Sequence, residues 1–136
     1  KFRSRQSLES SAHLKSCLFP FAPRGRENKF FARVYQAIRI EVNDELNVLK
    51  EMLRQCADVM KPGGRLVVIS YHSLEDRIVK RFINTGSFDD AEQADLHGNV
   101  SRPFKPVNRK VITPEAGEIA LNKRARSAKM RVAERI

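Results

Sequence analysis

The run Lys61-Pro-Gly-Gly-Arg-Leu-Val-Val-Ile-Ser-Tyr-His-Ser-Leu-Glu-Asp-Arg77 constrains this chain more than any other. Pro62-Gly63-Gly64 stops a helix and turns the chain, because proline lacks a donor and glycine tolerates turn dihedrals. Leu66-Val-Val-Ile-Ser70 is nearly all apolar and β-branched, the pattern of a strand covered on both faces. Ser73, followed by Asp76, reads as a helix N-cap with a capping box. Ile78, Val79, Phe82 and Ile83 then make a buried stripe. A turn, a strand and a capped helix in succession belong to an α/β sheet. In open sheets of that kind, ligands sit at the carboxyl ends of the strands. Tyr71, His72 and Ser73 occupy that end.

The flanking segments extend the pattern. Residues 5–18 read as a short helix with Leu8, Leu14 and Leu18 as its apolar positions, ended by Phe19-Pro-Phe-Ala-Pro23. Asn28 is the expected N-cap of a long helical stretch over residues 29–60. There Phe31, Tyr35, Ile38, Val42, Leu46, Leu49, Leu53, Cys56 and Met60 recur every three or four positions. Asn43-Asp44 is the expected break within it, since both side chains compete for backbone hydrogen bonds. Residues 84–107 carry no period, and their length fits a lid, a binding loop or a disordered segment. Arg109–Ile112 reads as a short strand. Thr113-Pro114-Glu115 reads as a helix start that runs to Asn122. Ala128–Glu134 alternates as a strand with Met130 and Val132 facing in. The order fits the back half of a doubly wound sheet.

The chain has 136 residues and a net charge of +10, a balance that favours polyanions, nucleic acid first. The charge is clustered. Lys123, Arg124, Arg126, Lys129, Arg131 and Arg135 crowd the last residues, and Arg109 and Lys110 extend that patch. Arg24, Arg26 and Lys29 form a second patch. Phosphate contact is one reading of the tail, and a charge-protected edge strand is the other. No apolar run is long enough to span a membrane, and no secretory h-region is visible. The chain begins at Lys1 rather than Met, as a fragment or a processed product would. Cys17 and Cys56 form no CxxC, and with His13, His72 and His97 they show no zinc-ligand spacing, so no metal is expected. Reduced thiols in a cytoplasmic protein are the expectation.

Three motifs in order carry a family resemblance: Val34-Tyr-Gln-Ala-Ile-Arg-Ile-Glu-Val-Asn-Asp-Glu-Leu46, the Lys61–Arg77 run, and Arg124-Ala-Arg-Ser-Ala-Lys-Met-Arg-Val-Ala-Glu134. Together they resemble the C-terminal part of the MraW-type family of ribosomal RNA methyltransferases, over most of residues 29–136. The resemblance implies an S-adenosylmethionine-dependent bacterial enzyme that methylates N4 of a cytosine in 16S rRNA of the small ribosomal subunit. It implies an α/β fold, the back half of a Rossmann-like class I methyltransferase sheet. Residues 1–30 would then end a helical insert domain, and residues 31–136 would form the C-terminal part of the methyltransferase domain.

The family's glycine-rich cofactor loop, its ribose-binding acid and its acidic motif beside the target base all lie upstream of these residues. The cofactor site is therefore expected upstream of Lys1, with no cofactor-binding residue in this segment. The segment alone is expected to be inactive, because methyl transfer needs the donor held in line with the amine. No catalytic residue is assigned, and none need be a general base, since the amine lone pair attacks directly. The pocket candidates are His72, Ser73 and Asn43. His72 is either a pocket-lining donor or a structural histidine. Ser73 is a helix cap or a ligand. Asn43 and Asp44 either touch substrate at a helix break or cap two helices. Glu41 and Glu45 are spaced for one helix face, either for acid–base work or as a solvated pair. Phe30, Phe31, Phe19 and Phe21 could stack on bases or pack in the core. Arg109, Lys110, Lys123, Arg124, Arg126, Lys129 and Arg131 are the RNA-binding candidates. A non-enzymatic basic RNA-binding module is the alternative class. A DNA N4-methyltransferase would need a Pro-Pro-Tyr-like motif, which this segment lacks. Nothing in the sequence fixes the oligomeric state.

Overall fold

The computed structural model describes residues 7–88 and 102–136. The middle of the expected 84–107 loop, including His97 and Gly98, lies outside the described residues. Contacts divide the chain into two compact units, Lys1–Glu45 and Leu46–Ile136.

In the first unit, α1 (Ser11–Leu18) starts later than the expected residue 5, because Ser10 caps it. The Ser10 Oγ accepts the His13 N–H at 3.2 Å. Phe19–Phe21 forms a 3₁₀ turn around Pro20. The next helix, α2 (Glu27–Asn43), is capped at Arg26, not at the expected Asn28. Glu27 Oε1 reaches back to accept the Gly25 N–H at 2.9 Å. Its own amide and that of Gly25 hold the Glu27 carboxyl below the usual range. Phe31 is buried against the rings of Phe19, Phe30 and Tyr35. The expected stripe fades beyond it: Ile38 is 42% exposed and Val42 77%. The break at Asn43-Asp44 is present. Asp44 takes a left-handed conformation (φ 51°, ψ 36°), which a short polar side chain tolerates.

The helix that follows, α3 (Glu45–Val59), runs on into the second unit and buries Leu53 and Ala57. The glycine turn then leads to β1 (Arg65–Ser70). Gly63 has φ +81° and donates its N–H to the Arg135 carbonyl at 2.8 Å. A Cβ on Gly64 would stand 2.9 Å from the Lys61 carbonyl oxygen. Gly64→Ala is therefore expected to cost about 1–3 kcal/mol in denaturant unfolding. An unchanged midpoint would mean that this turn yields freely.

The remaining elements are α4 (Ser73–Thr85), β2 (Phe104–Pro106), α5 (Ala116–Leu121) and β3 (Lys129–Arg135). The three strands form one sheet in the order β1-β3-β2, and both outer strands run antiparallel to β3. Opposed residues share a face. Leu66 with Ala133, Val68 with Arg131 and Ser70 with Lys129 lie on one face, the face that α4 covers. Leu53, Val79, Phe82, Ile83 and Phe104 complete the core there.

Several expectations need correction. The strand β1 is covered on one face only among the described residues, with Val67 and Ile69 more than half exposed on the other. The expected loop contains β2, whose Phe104 is fully buried. Arg109–Ile112 is not a strand; it contributes a single bridge, Ile112 to Met130. The helix α5 is capped at Glu115 rather than Thr113. In β3, Ala133 and Arg131 face α4, while Met130 and Val132 pair with Ile69 and Val67 on the far face. Leu66 needs a small neighbour beneath the Phe82–Phe104 pair, and Asp76 gives Arg131 a partner there.

Arg135 ties the unit together. Its Nε donates to the Ala57 carbonyl at 2.9 Å and its Nη1 to the Pro103 carbonyl at 3.0 Å. Its backbone N–H donates to the Gly64 carbonyl at 2.9 Å. One residue thus satisfies the end of α3, the glycine turn and the approach to β2. This positively charged tail residue therefore serves the fold.

Candidate functional site

Where β1 ends, Ser70 is buried and its Oγ donates to the Lys129 carbonyl. Tyr71 is exposed, and its N–H donates to Glu75 Oε2 at 3.1 Å. His72, not Ser73, is the N-cap of α4, and it makes no side-chain cap bond. Ser73 sits inside the first turn. The expected capping box is absent because Asp76 is engaged by Arg131, and Glu75 reaches back instead.

His72 is pulled into this corner with a side chain only 14% exposed. Its Nε2 lies 3.0 Å from Glu75 Oε1 without the alignment of a hydrogen bond. Both ring nitrogens therefore lack a hydrogen-bond partner among the described residues. Buried polar atoms are normally satisfied. An unsatisfied imidazole at the carboxyl end of a strand is equipped to bond an incoming polar group. Asn43 belongs to the first unit, where its Nδ2 donates to Glu45 Oε1 at 3.1 Å. Arg39 Nε reaches the same carboxylate at 2.8 Å. Asn43 therefore acts locally at the helix break.

The basic residues separate into two kinds. Arg131 makes a two-pronged bond to Asp76, Nε to Oδ1 at 2.6 Å and Nη2 to Oδ2 at 3.1 Å. Lys129 stands 3.8 Å from the same carboxylate. The Arg131 guanidinium holds the Asp76 carboxyl below its usual range, against the opposing pull of burial. Both cations are held by α4. Arg109, Lys110, Lys123, Arg124 and Arg126 are exposed and make no ion pair among the described residues. The last three sit on a 3₁₀ turn, Lys123–Ser127, anchored by buried Ala125 and capped by Asn122 Oδ1.

One residue that sequence reasoning missed joins this set. Lys80, a turn beyond Asp76 on α4, lines a cleft of about 330 Å³ with Asn84, Pro106, Asn108, Arg109 and Arg131. Its only sequence signal was the four-residue spacing Asp76, Lys80, Asn84, which also reads as an ordinary solvated helix face.

The described Gly63-Gly64 pair supplies no phosphate or nucleoside cradle. Both of its amides are already bonded, to the Arg135 and Lys61 carbonyls. Among the described residues, no helix is long and apolar enough to cross a membrane.

Comparison with known proteins gives a consistent result. The profile of the MraW methylase family matches residues 1–136. A ribosomal RNA small subunit methyltransferase H from Amoebophilus asiaticus is 53% identical over 133 residues, which cover 98% of this chain and 43% of that protein. The protein of the same name from Parabacteroides distasonis is 51% identical over 136 residues, 100% of this chain and 45% of its own length. That from Christiangramia forsetii is 53% identical over 134 residues, 98% and 44% respectively. The chain thus spans less than half the length of these curated relatives.

Proposed function

Because the chain belongs to the MraW methylase family, we propose that it is the rear part of an S-adenosylmethionine-dependent methyltransferase acting on N4 of a cytosine in 16S rRNA. The observation that carries this reading is the match along all 136 residues, together with about half identity to relatives named as ribosomal RNA small subunit methyltransferases.

The architecture supports it. The strands β1 and β2 run the same way with β3 reversed between them, and the outer edge of β1 has no partner among the described residues. That edge and the apolar far face, with Val67, Ile69, Met130 and Val132, suit a doubly wound sheet with further strands and helices. Residues 1–30 would close an inserted helical domain. The Gly63-Gly64 pair does not fit the methyl donor, since both of its amides are bonded to backbone carbonyls. What this segment would contribute is one wall of the base pocket at the end of β1, where His72 offers hydrogen bonds to a nucleobase. It would also contribute much of the RNA grip, through Arg109, Lys110, Lys123, Arg124 and Arg126. A base methylated at an exocyclic amine is commonly extruded into such a pocket. The cytoplasm, where small ribosomal subunits are found, is the matching location.

The exposed basic residues Arg109, Lys110, Lys123, Arg124 and Arg126 also suit a second reading, a basic RNA-binding module without catalysis. Labelled methyl transfer to unmodified small ribosomal subunits separates the two. The complete protein is expected to place label on N4 of a cytosine, and residues 1–136 alone are expected neither to bind S-adenosylmethionine nor to transfer methyl. Failure of the complete protein to take up the donor would leave the module reading.

A further inference from the structure

We propose that the cleft between α4, the end of β2 and β3 holds one nucleotide of a single-stranded RNA segment, with its phosphodiester between Lys80 and Arg109. This rests on the rRNA reading above and gives it a specific point of contact.

Three cations line the cleft, but they are not equivalent. Asp76 meets the charge of Arg131 through two bonds. Lys80 and Arg109 are exposed and make no ion pair among the described residues. Two positive charges outside any ion pair among the described residues, on one concave wall, attract an anion. The rest of the lining indicates which anion. Ile83 and Pro106 supply an apolar wall, which a bare phosphate could not use and a ribose or base could. Asn108 donates Nδ2 to the Lys110 carbonyl, which leaves its Oδ1 without a partner. That oxygen can accept from a ribose hydroxyl or a base amine. A volume of about 330 Å³ falls at the low end of the range for small-ligand sites, roughly 300–1,000 Å³.

The backbone explains why the cleft is open to a strand. Val107 donates its N–H to the Val132 carbonyl, and Ile112 bridges Met130. Between these two ties, residues 108–111 bulge from the edge of β3 and carry Asn108, Arg109 and Lys110 outward. The Gly63 and Gly64 amides are bonded to the Arg135 and Lys61 carbonyls, so that pair forms no amide nest for a terminal phosphate dianion. A singly charged diester within a chain fits two side-chain cations better.

The test is fluorescence anisotropy of the complete protein with a short single-stranded RNA, measured across a range of KCl concentrations. Lys80→Ala and Arg109→Ala are each expected to weaken binding about tenfold at low salt. The slope of log affinity against log salt should fall by about 0.7 for each, and about 1.4 for the double variant. Lys61→Ala, outside the cleft, should leave the slope in place. Asn108→Ala should weaken binding with the slope unchanged. If RNA binds and the double variant keeps the full slope, the cleft assignment is overturned while the methyltransferase reading stands. If cytidine monophosphate competes as well as the oligonucleotide, the cleft serves a free nucleotide and the strand assignment is wrong. If the unaltered protein binds no RNA, both this assignment and the rRNA reading fall.

Discussion

Replacing Phe104 with alanine is expected to lower the stability of the Leu46–Ile136 unit by about 4 kcal/mol. Phe104 is fully buried in β2, opposite Arg135 in the register and 6.1 Å from the Phe82 ring. Phe82 in turn stacks on Phe88 at 4.7 Å, and the Arg54 guanidinium covers Phe88 at 5.0 Å. Removing Phe104 empties the buried end of that stack. The short strand β2 cannot collapse inward, because it has few residues with which to shift. A loss of that size corresponds to roughly 20 °C in melting temperature for a unit of this length. Denaturant unfolding of the protein and its variant measures it directly. Phe19→Ala is the contrast, since Phe19 is 57% exposed in the first unit and its loss should change stability by no more than about 0.5 kcal/mol. A Phe104→Ala cost below about 1 kcal/mol would mean that the core does not centre on this ring.

Asp76→Ala is expected to cost about 3 kcal/mol, because it strands the guanidinium of Arg131 in a site where both side chains are about 15% exposed or less. The same pair predicts an acid limb. The Asp76 carboxyl is lowered in the folded state, first by its hydrogen bond from Arg131 and then by the charges of Arg131, Lys129 and Lys80. The unfolded chain therefore binds the proton first as pH falls. The stabilisation is whole above the ordinary carboxylate value of about 3.9 and is lost as pH drops through the lowered folded value. Glu27 and Glu134 are also lowered, so the limb is shared. The difference between the protein and Asp76→Asn isolates the contribution of Asp76. The two stability curves should converge as pH falls below about 4. Parallel curves across that range would rule out the ion pair as the source.

The central run was legible because each of its signals is local. Apolar spacing along α3, the Pro62-Gly63-Gly64 turn and the β-branched run of β1 all need only near neighbours in sequence. The missed features depend on distant partners. Phe104-Lys-Pro106 is flanked by proline and has only three residues, so nothing in it reads as a strand until β3 pairs with it. The alternation in β3 was visible but its facing was not. Met130 and Val132 look like core residues, whereas Arg131 takes the covered face because Asp76, 55 residues earlier, waits there. Asp76 and Ser73 look like a capping box for the same reason. In the cleft, Arg109 and Arg131 stood out as clustered charge. Lys80 did not, since a lysine four residues after an aspartate reads as ordinary helix surface. His72 was placed at the strand end, but its unbonded nitrogens appear only once the backbone has buried the ring.

The order of the sheet also bears on how the chain is made. The strand β3 lies between β1 and β2, yet it comes after both in the sequence. Neither pairing can form until residues 129–135 have left the ribosome. At about 5–20 residues per second, β1 waits several seconds for this partner. The nascent chain lacks the Ala133 neighbour of Leu66 through that interval, so chaperone occupancy on stalled translation intermediates should fall once β3 has been synthesised.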